Sequence, residues 1–179
     1  MEAPEVPLEQ TQEHIHEHAH HSKVSWVMGV ALTSALLAAC AAVTSLLAGH
    51  HANEAMIEQM QSSDQWAYYQ SKGIKAGVLG TKLDILKALD KPASPKDEEK
   101  LKQYKDDQEK ISELAKEKQE ASERHLHSHV IYARGVTLFQ VAIAISAISV
   151  LTKKKSFWWV GIGFGVAGVF FFVQGLLTP

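Results

Sequence analysis

Charge is segregated along this chain, and that segregation limits its folds more than any other feature. Residues 24–48 and 157–177 carry no Asp, Glu, Lys or Arg, and residues 131–151 carry only Arg134. The 20 acidic and 18 basic residues otherwise crowd into the N-terminal tail, the middle of the chain and one short loop. A mean hydropathy of −0.10 suits a soluble protein, but it averages two unlike kinds of segment. At ~1.5 Å rise per residue, each apolar run is long enough as a helix to cross a ~30 Å hydrocarbon layer. Three apolar runs around one polar middle predict an all-α membrane protein. It has three transmembrane helices, with a long extramembrane, antiparallel, coiled-coil-like helical hairpin between the first and second.

The predicted organisation is a flexible acidic, histidine-rich tail over 1–23 and transmembrane helices at 24–49, 131–151 and 157–177. The hairpin occupies 50–130, with its turn at 90–95. In the turn, Pro92 cannot continue a helix. Ser94 is a good N-cap, Pro95 suits the first helical position, and Asp97, Glu98 and Glu99 complement the positive end of the helix that follows. Beyond Pro95 the second leg reaches His129 without Gly or Pro. Leu101, Tyr104, Gln108, Ile111, Ala115, Lys118, Ser122 and His125 repeat at heptad spacing and predict its packing seam. On the first leg, Ala52, Ala55/Met56, Met60, Ser63, Trp66/Ala67, Gln70, Ile74, Val78, Leu79, Ile85, Leu86 and Leu89 make a raggeder stripe near the helical period. Pairing the legs about the turn puts Met60 near His125 and Trp66 near Gln119. Gly73 and Gly77, four apart, predict close packing between the legs.

Small residues mark the faces of the apolar helices that pack, because they let backbones approach in lipid. On the first run these are Ala31, Ala35, Ala38, Ala42, Ser45 and Gly49. On the third they are Gly161, Gly165, Gly168 and Gly175. Either packing within the chain or homo-oligomerisation accounts for such faces. Gly163-x-Gly165-x-x-Gly168 matches a dinucleotide fingerprint by letter only, since no strand precedes it and it lies inside an apolar run. Leu37-Ala38-Ala39-Cys40 resembles a lipoprotein cleavage box. The preceding leader is acidic apart from Lys23, and the apolar run continues past Cys40, so cleavage is not expected.

Orientation follows from charge. Lys153, Lys154 and Lys155 form the densest short basic loop, which places it on the cytoplasmic side with Trp158, Trp159 and Trp26 at the same interface. The N-terminus is then cytoplasmic and the hairpin periplasmic or extracellular. The net charge of −2 gives no basic field for nucleic acid, so none is expected as a partner. The expected partners are the lipid bilayer and either further copies of the chain or other membrane proteins.

Candidate chemistry is sparse. No phosphate loop, nucleophile elbow or paired cysteine ligands occur, and the single cysteine forms no intrachain disulfide. No catalytic residue and no resident cofactor is expected. There are 10 histidines, and they cluster. In the tail, His14 and His18 are four apart, as are His16 and His20. A helix would set each pair on one face for weak binding of Zn or Ni. At the base of the hairpin, His50 and His51 leave the first apolar run while His125 and His129 approach the second. This suggests a divalent-metal site or a pH-responsive clamp, against the plainer reading of interfacial histidines. Trp66, Tyr68 and Tyr69 form an aromatic cluster that either joins the two legs or binds a partner.

The run Gly49-His50-x-Ala52-Asn53-Glu54-Ala55, then Asp64-x-Trp66-Ala67-Tyr68-Tyr69-Gln70-x-Lys72, resembles a bacterial family of small membrane proteins known as domain of unknown function 4337. The likeness extends over most of the chain, from the His/Glu-rich leader to the two closing apolar runs. It implies a bacterial inner-membrane protein and brings no activity with it. The expected role is therefore a non-enzymatic scaffold or interaction module working through its hairpin. The alternative is a metal- or pH-responsive accessory of an envelope transport or stress system, acting through its histidines.

Overall fold

A computed structural model describes residues 25–178. Among these the fold is all-helical and has no strand. Helix α1 spans Ser25–Ala88, α2 spans Pro95–Thr152 and α3 spans Lys155–Leu177. Each contains a stretch long and apolar enough to cross a membrane by length and composition. Each leg runs on from its apolar helix without a break in secondary structure. Gly49 and His50 lie within α1, and Val130 and Ile131 lie within α2. One glycine costs a helix interior ~1 kcal/mol, too little to interrupt a helix that is packed on both sides of it. The tail histidines His14, His16, His18 and His20 lie outside the described residues.

Both helix ends that lead into a turn close in the same way. At Asp90 the backbone enters the left-handed region with φ of 50°. The Asp90 amide donates to the Lys87 carbonyl at 3.2 Å, and the Lys91 amide donates to that of Leu86 at 2.9 Å. Lys153 repeats this with φ of 55°, as Lys153 donates to Val150 and Lys154 to Ser149, both at 3.2 Å. These are Schellman closures, with aspartate and lysine where glycine is usual. Helix α2 then starts at Pro95 as its sequence requires, and the Ser94 carbonyl accepts from Asp97 at 2.9 Å.

The described residues divide into two compact units, 25–52 with 126–178, and 53–125. In the first unit, segments of all three helices pack around Val30, Phe139, Ala142, Ile143 and Ser146, each at most 1% exposed. Four glycines of α3 are its buried face. A Cβ on Gly168 would sit 2.8 Å from Phe139, one on Gly175 2.5 Å from Tyr132, one on Gly165 2.7 Å from Leu37 and one on Gly161 2.9 Å from the Ser146 hydroxyl. The predicted glycine face therefore does pack, and large side chains of α1 and α2 fill the space it leaves. The α1 stripe is corrected. Ala31 is buried, but Ala42, Ser45 and Gly49 are exposed, and Ala41, Thr44 and Ala48 are buried in their place. Small size alone did not identify the face. Thr44 is buried because Gly135 leaves room for its methyl group, and because its hydroxyl donates to the Cys40 carbonyl at 2.7 Å. Ser34 and Ser146 return their hydroxyls to Val30 and Ala142 in the same way. Hydroxyls satisfied within their own helix can face an apolar neighbour at little cost.

In the second unit, residues 53–88 of α1 lie beside residues 95–125 of α2, and their contacts run in opposite directions. The Ser122 hydroxyl donates to the Ala55 carbonyl at 2.8 Å, and the Ser62 hydroxyl donates to that of Ala115 at 2.9 Å. Farther along, Gln108 reaches the Tyr69 carbonyl, Lys72 pairs with Asp107, and Lys82 pairs with Asp97. A serine side chain is short, so a bond from it to the facing main chain requires close backbones. Ala55, Ala76 and Ala115 permit that approach, and each is at most 8% exposed.

Three expectations change here. All the predicted heptad positions of α2 are covered, but the first-leg stripe is covered only in part, at the buried Ala55 and the partly buried Ala52, Trp66, Leu79 and Leu86. Its larger members Met56, Met60, Ile74, Val78, Ile85 and Leu89 are exposed, and Ser62 and Ala76, outside the stripe, join Ala55 in carrying the contact. Size explains the choice, because the short residues let the hydroxyl-to-carbonyl bonds form. The register also differs. With Ser62 on Ala115 and Ser122 on Ala55, Met60 does not sit by His125, and the pairing is displaced by about eight residues from symmetry about the turn. Residues 91–94 are non-helical. An extended residue advances ~3.3 Å against 1.5 Å in a helix, so the returning chain starts α2 well below the top of α1. Finally, a Cβ on Gly73 would meet Gln108 at 2.7 Å, whereas one on Gly77 meets nothing within 4 Å.

Candidate functional site

The residues singled out in the sequence fall into both units. Within residues 53–125, the aromatic run and one lysine build a cluster across the two helices. The Lys72 ammonium lies 2.7 Å from the Asp107 carboxylate. It also stands 5.3 Å from the centre of the Tyr68 ring and 5.2 Å from that of Tyr104. Trp66 meets Tyr69 edge-on, with ring centres 5.6 Å apart. The cluster follows from helical spacing. Trp66 and Tyr69 share a side of α1, and Lys72 follows three residues later toward α2. The hydrogen bond to Asp107, aided by that to Tyr68, holds the Lys72 pKa above its ordinary value and outweighs the opposing effect of burial. A cation held by a carboxylate and two ring faces fastens the helices together. Trp66 and Tyr69 are half-buried, while Tyr68 keeps 48% of its surface exposed. Of the three aromatics, only Tyr68 presents substantial surface outward.

Nearer the unit boundary, Lys118 approaches Glu58 at 3.1 Å, with both partly buried. Sequence reading missed the Lys72–Asp107, Lys82–Asp97 and Lys118–Glu58 pairs. The residues were visible, but the register that joins them was not.

The histidines divide differently. His50, His51 and His129 belong to the first unit, and His125 belongs to the second. The His51 ring stacks on Tyr132, with centres 5.5 Å apart and planes 14° from parallel. His50 lies tilted against His51 at 5.5 Å. Nδ1 of His129 is 2.9 Å from the Ala48 carbonyl. A neutral ring in that position donates its Nδ1 proton, which leaves Nε2 as the acceptor. His125 is partly buried. Among the described residues, no group of three or more His, Cys, Asp or Glu side chains is arranged to hold a metal ion. In the first unit the histidines serve packing, through ring stacking by His51 and a main-chain bond by His129. Tyr132 was not singled out in the sequence, although it is 2% exposed and touches His51, Phe172 and the Gly175 face together.

The described residues are thus all-helical, with three helices long and apolar enough to cross a membrane, and the second unit is joined by ion pairs and serine hydroxyls. Residues 26–178 match the family described as a domain of unknown function, DUF4337, and the chain belongs to that family. Comparison with curated proteins and with solved structures gives no match in either.

Proposed function

We propose that this chain is a membrane-anchored, non-enzymatic scaffold whose residues 53–125 form an extramembrane helical hairpin that engages other proteins. The apolar stretches of α1, α2 and α3 cross the bilayer as three spans. The N-terminus and the loop carrying Lys153, Lys154 and Lys155 face the cytoplasm, with the hairpin on the opposite side of a bacterial inner membrane. The observation that carries this reading is how the second unit uses its polar groups. Lys72, Asp107, Glu58, Lys118 and the hydroxyls of Ser62 and Ser122 are spent on joining two helices. That use suits a rigid strut better than a reaction centre.

Proximity labelling from an enzyme inserted beside Ser94, in intact cells, tests the role. A discrete and reproducible set of protein neighbours is expected, and labelling no different from that of an unrelated membrane protein would overturn it. Orientation is read separately. Cysteine placed at Ser94 should react with an impermeant maleimide from the outer side of the membrane, and cysteine at Lys154 should not. The opposite pattern would invert the topology.

A further inference from the structure

The apolar stripe that α1 leaves uncovered has a periodicity of its own. Within residues 53–125, every exposed large apolar side chain except Leu114 belongs to α1 or, as Leu89, to the turn residue just after it; Ile57 and Tyr68 lie on another side of the helix. Met56, Met60, Ile74, Val78, Ile85 and Leu89 are 62, 55, 68, 68, 54 and 60% exposed. Ser63, Ala67, Gln70 and Thr81 fill the gaps between them and are also exposed. Successive positions differ by three or four residues, so the nine within α1 share one face of the helix, and Leu89 extends it at the turn. That face is separate from the seam of Ala55, Ser62 and Ala76 that meets α2.

We infer that this face is a self-association surface, on which a second copy of the chain lies parallel and in register about a two-fold axis running along α1. Three observations select a copy of the same chain. Residues near a two-fold axis face themselves, so an ionised side chain there would repel its twin, and none of the ten is ionisable. Of the polar three, Ser63 and Gln70 each carry both a donor and an acceptor and can bond to their own counterparts, while the Thr81 hydroxyl donates to the Gly77 carbonyl at 2.9 Å and so presents no unmet donor to a neighbour. Gly77 lies beside Ile74, Val78 and Thr81 with nothing within 4 Å of where its Cβ would be, which leaves a hollow for an opposing side chain. A glycine that no contact within the protomer requires costs the helix ~1 kcal/mol, and close approach of another backbone gives it a use.

The extent of the surface agrees. Six side chains at this exposure present on the order of 600 Å² per chain, at the top of the ~300–600 Å² range for the largest apolar patch on a monomer. With the polar positions and flanking groups, the face approaches the ~800 Å² per partner of a stable pair. The parallel direction rests on the proposed membrane anchoring, because two copies inserted the same way in one bilayer point their α1 helices the same way.

Bis-maleimide cross-linking in native membranes tests this in a Cys40→Ser background. Ile74→Cys should yield a cross-linked homodimer, and Glu113→Cys on α2 should not. Adding Val78→Lys and Ile85→Lys to Ile74→Cys should lower the cross-linked fraction about tenfold or more, matching a tenfold or greater weakening of Kd. These side chains are exposed in the protomer, so folding is not at stake. A Ser62→Cys/Ala115→Cys pair should close within one chain in every variant and reports an intact protomer. Resistance to alkaline extraction independently reports membrane anchoring, so loss of anchoring and loss of pairing are read apart. Monomeric mass in mild detergent together with no Ile74→Cys dimer would overturn the inference. Adducts of Ile74→Cys solely with a different protein, or labelling of the stripe by a lipid-borne carbene, would also overturn it.

Discussion

Removing the two serine hydroxyls that cross between the helices of residues 53–125 gives the sharpest measure of what joins them. Ser62 is 1% exposed and donates to the Ala115 carbonyl, and Ser122 is 7% exposed and donates to that of Ala55. In Ser62→Ala the carbonyl is not orphaned, because it still accepts its own helical amide. The loss is then one hydrogen bond, about 1–1.5 kcal/mol, reduced by the ~0.5 kcal/mol by which alanine is the better helix former. A net cost of about 0.5–1 kcal/mol should speed protected amide exchange roughly 2–5-fold. The two bonds are seven residues, about 10 Å, apart on each helix, so their effects should add. The double variant should lose about 1–2 kcal/mol and exchange about 5–30-fold faster. Ser62→Leu forces a large side chain against Ala115 and should cost about 1–3 kcal/mol or more. Hydrogen exchange followed peptide by peptide in detergent-solubilised protein separates residues 53–125 from the rest, which a global melt would blur. If Ser62→Leu leaves exchange unchanged, the two segments do not pack as described. A response to the double alanine variant as large in residues 126–177 as in 53–125 would refute the assignment of these bonds to one local unit.

Other outcomes follow from named contacts. Asp90→Gly relieves a left-handed residue and should stabilise the turn by about 0.5–1 kcal/mol, read as slower exchange of residues 82–97. Gly168→Ala puts a methyl group on the Phe139 ring and should cost about 1–3 kcal/mol, whereas Gly163→Ala meets open space and should be neutral or stabilising. Thermal aggregation of the two variants in detergent ranks them. The Lys72–Asp107 pair should be sensitive to base. Because the folded-state pKa of Lys72 is raised, its contribution is complete below the ordinary lysine value of 10.5 and fades as pH rises through the raised one. The stability gap between the parent and Lys72→Met should therefore be constant at neutral pH and narrow only in strong alkali. Narrowing between pH 6 and 9 would point to a different partner.

The helices were legible from the segregation of charge, and the start of α2 from Ser94-Pro95 and the acidic residues after it. The α2 seam was legible because its heptad positions recur without interruption. On α1 the rule that the larger apolar residues pack inward misled for Met56, Met60 and Ile74, because contact fell to Ala55, which the stripe had placed beside Met56, and to Ser62 and Ala76 outside it, where backbone proximity outweighs side-chain area. The register was hidden for a different reason. It depends on how far the extended residues after Asp90 carry the chain back, a length that periodicity does not encode. The histidines looked like ligands because they cluster in sequence. For His51 and His129, the partners that engage them, Tyr132 and the Ala48 carbonyl, give no pattern in a single sequence.

The four glycines of α3 have a mechanical consequence. Each receives a different bulky or polar neighbour, from Tyr132 at one end through Phe139 and Leu37 to Ser146 at the other. Advancing α3 by a single turn would bring side chains such as Phe164 or Phe172 to notches shaped for none. The helix is therefore indexed like a key in its wards and does not slide as a piston would.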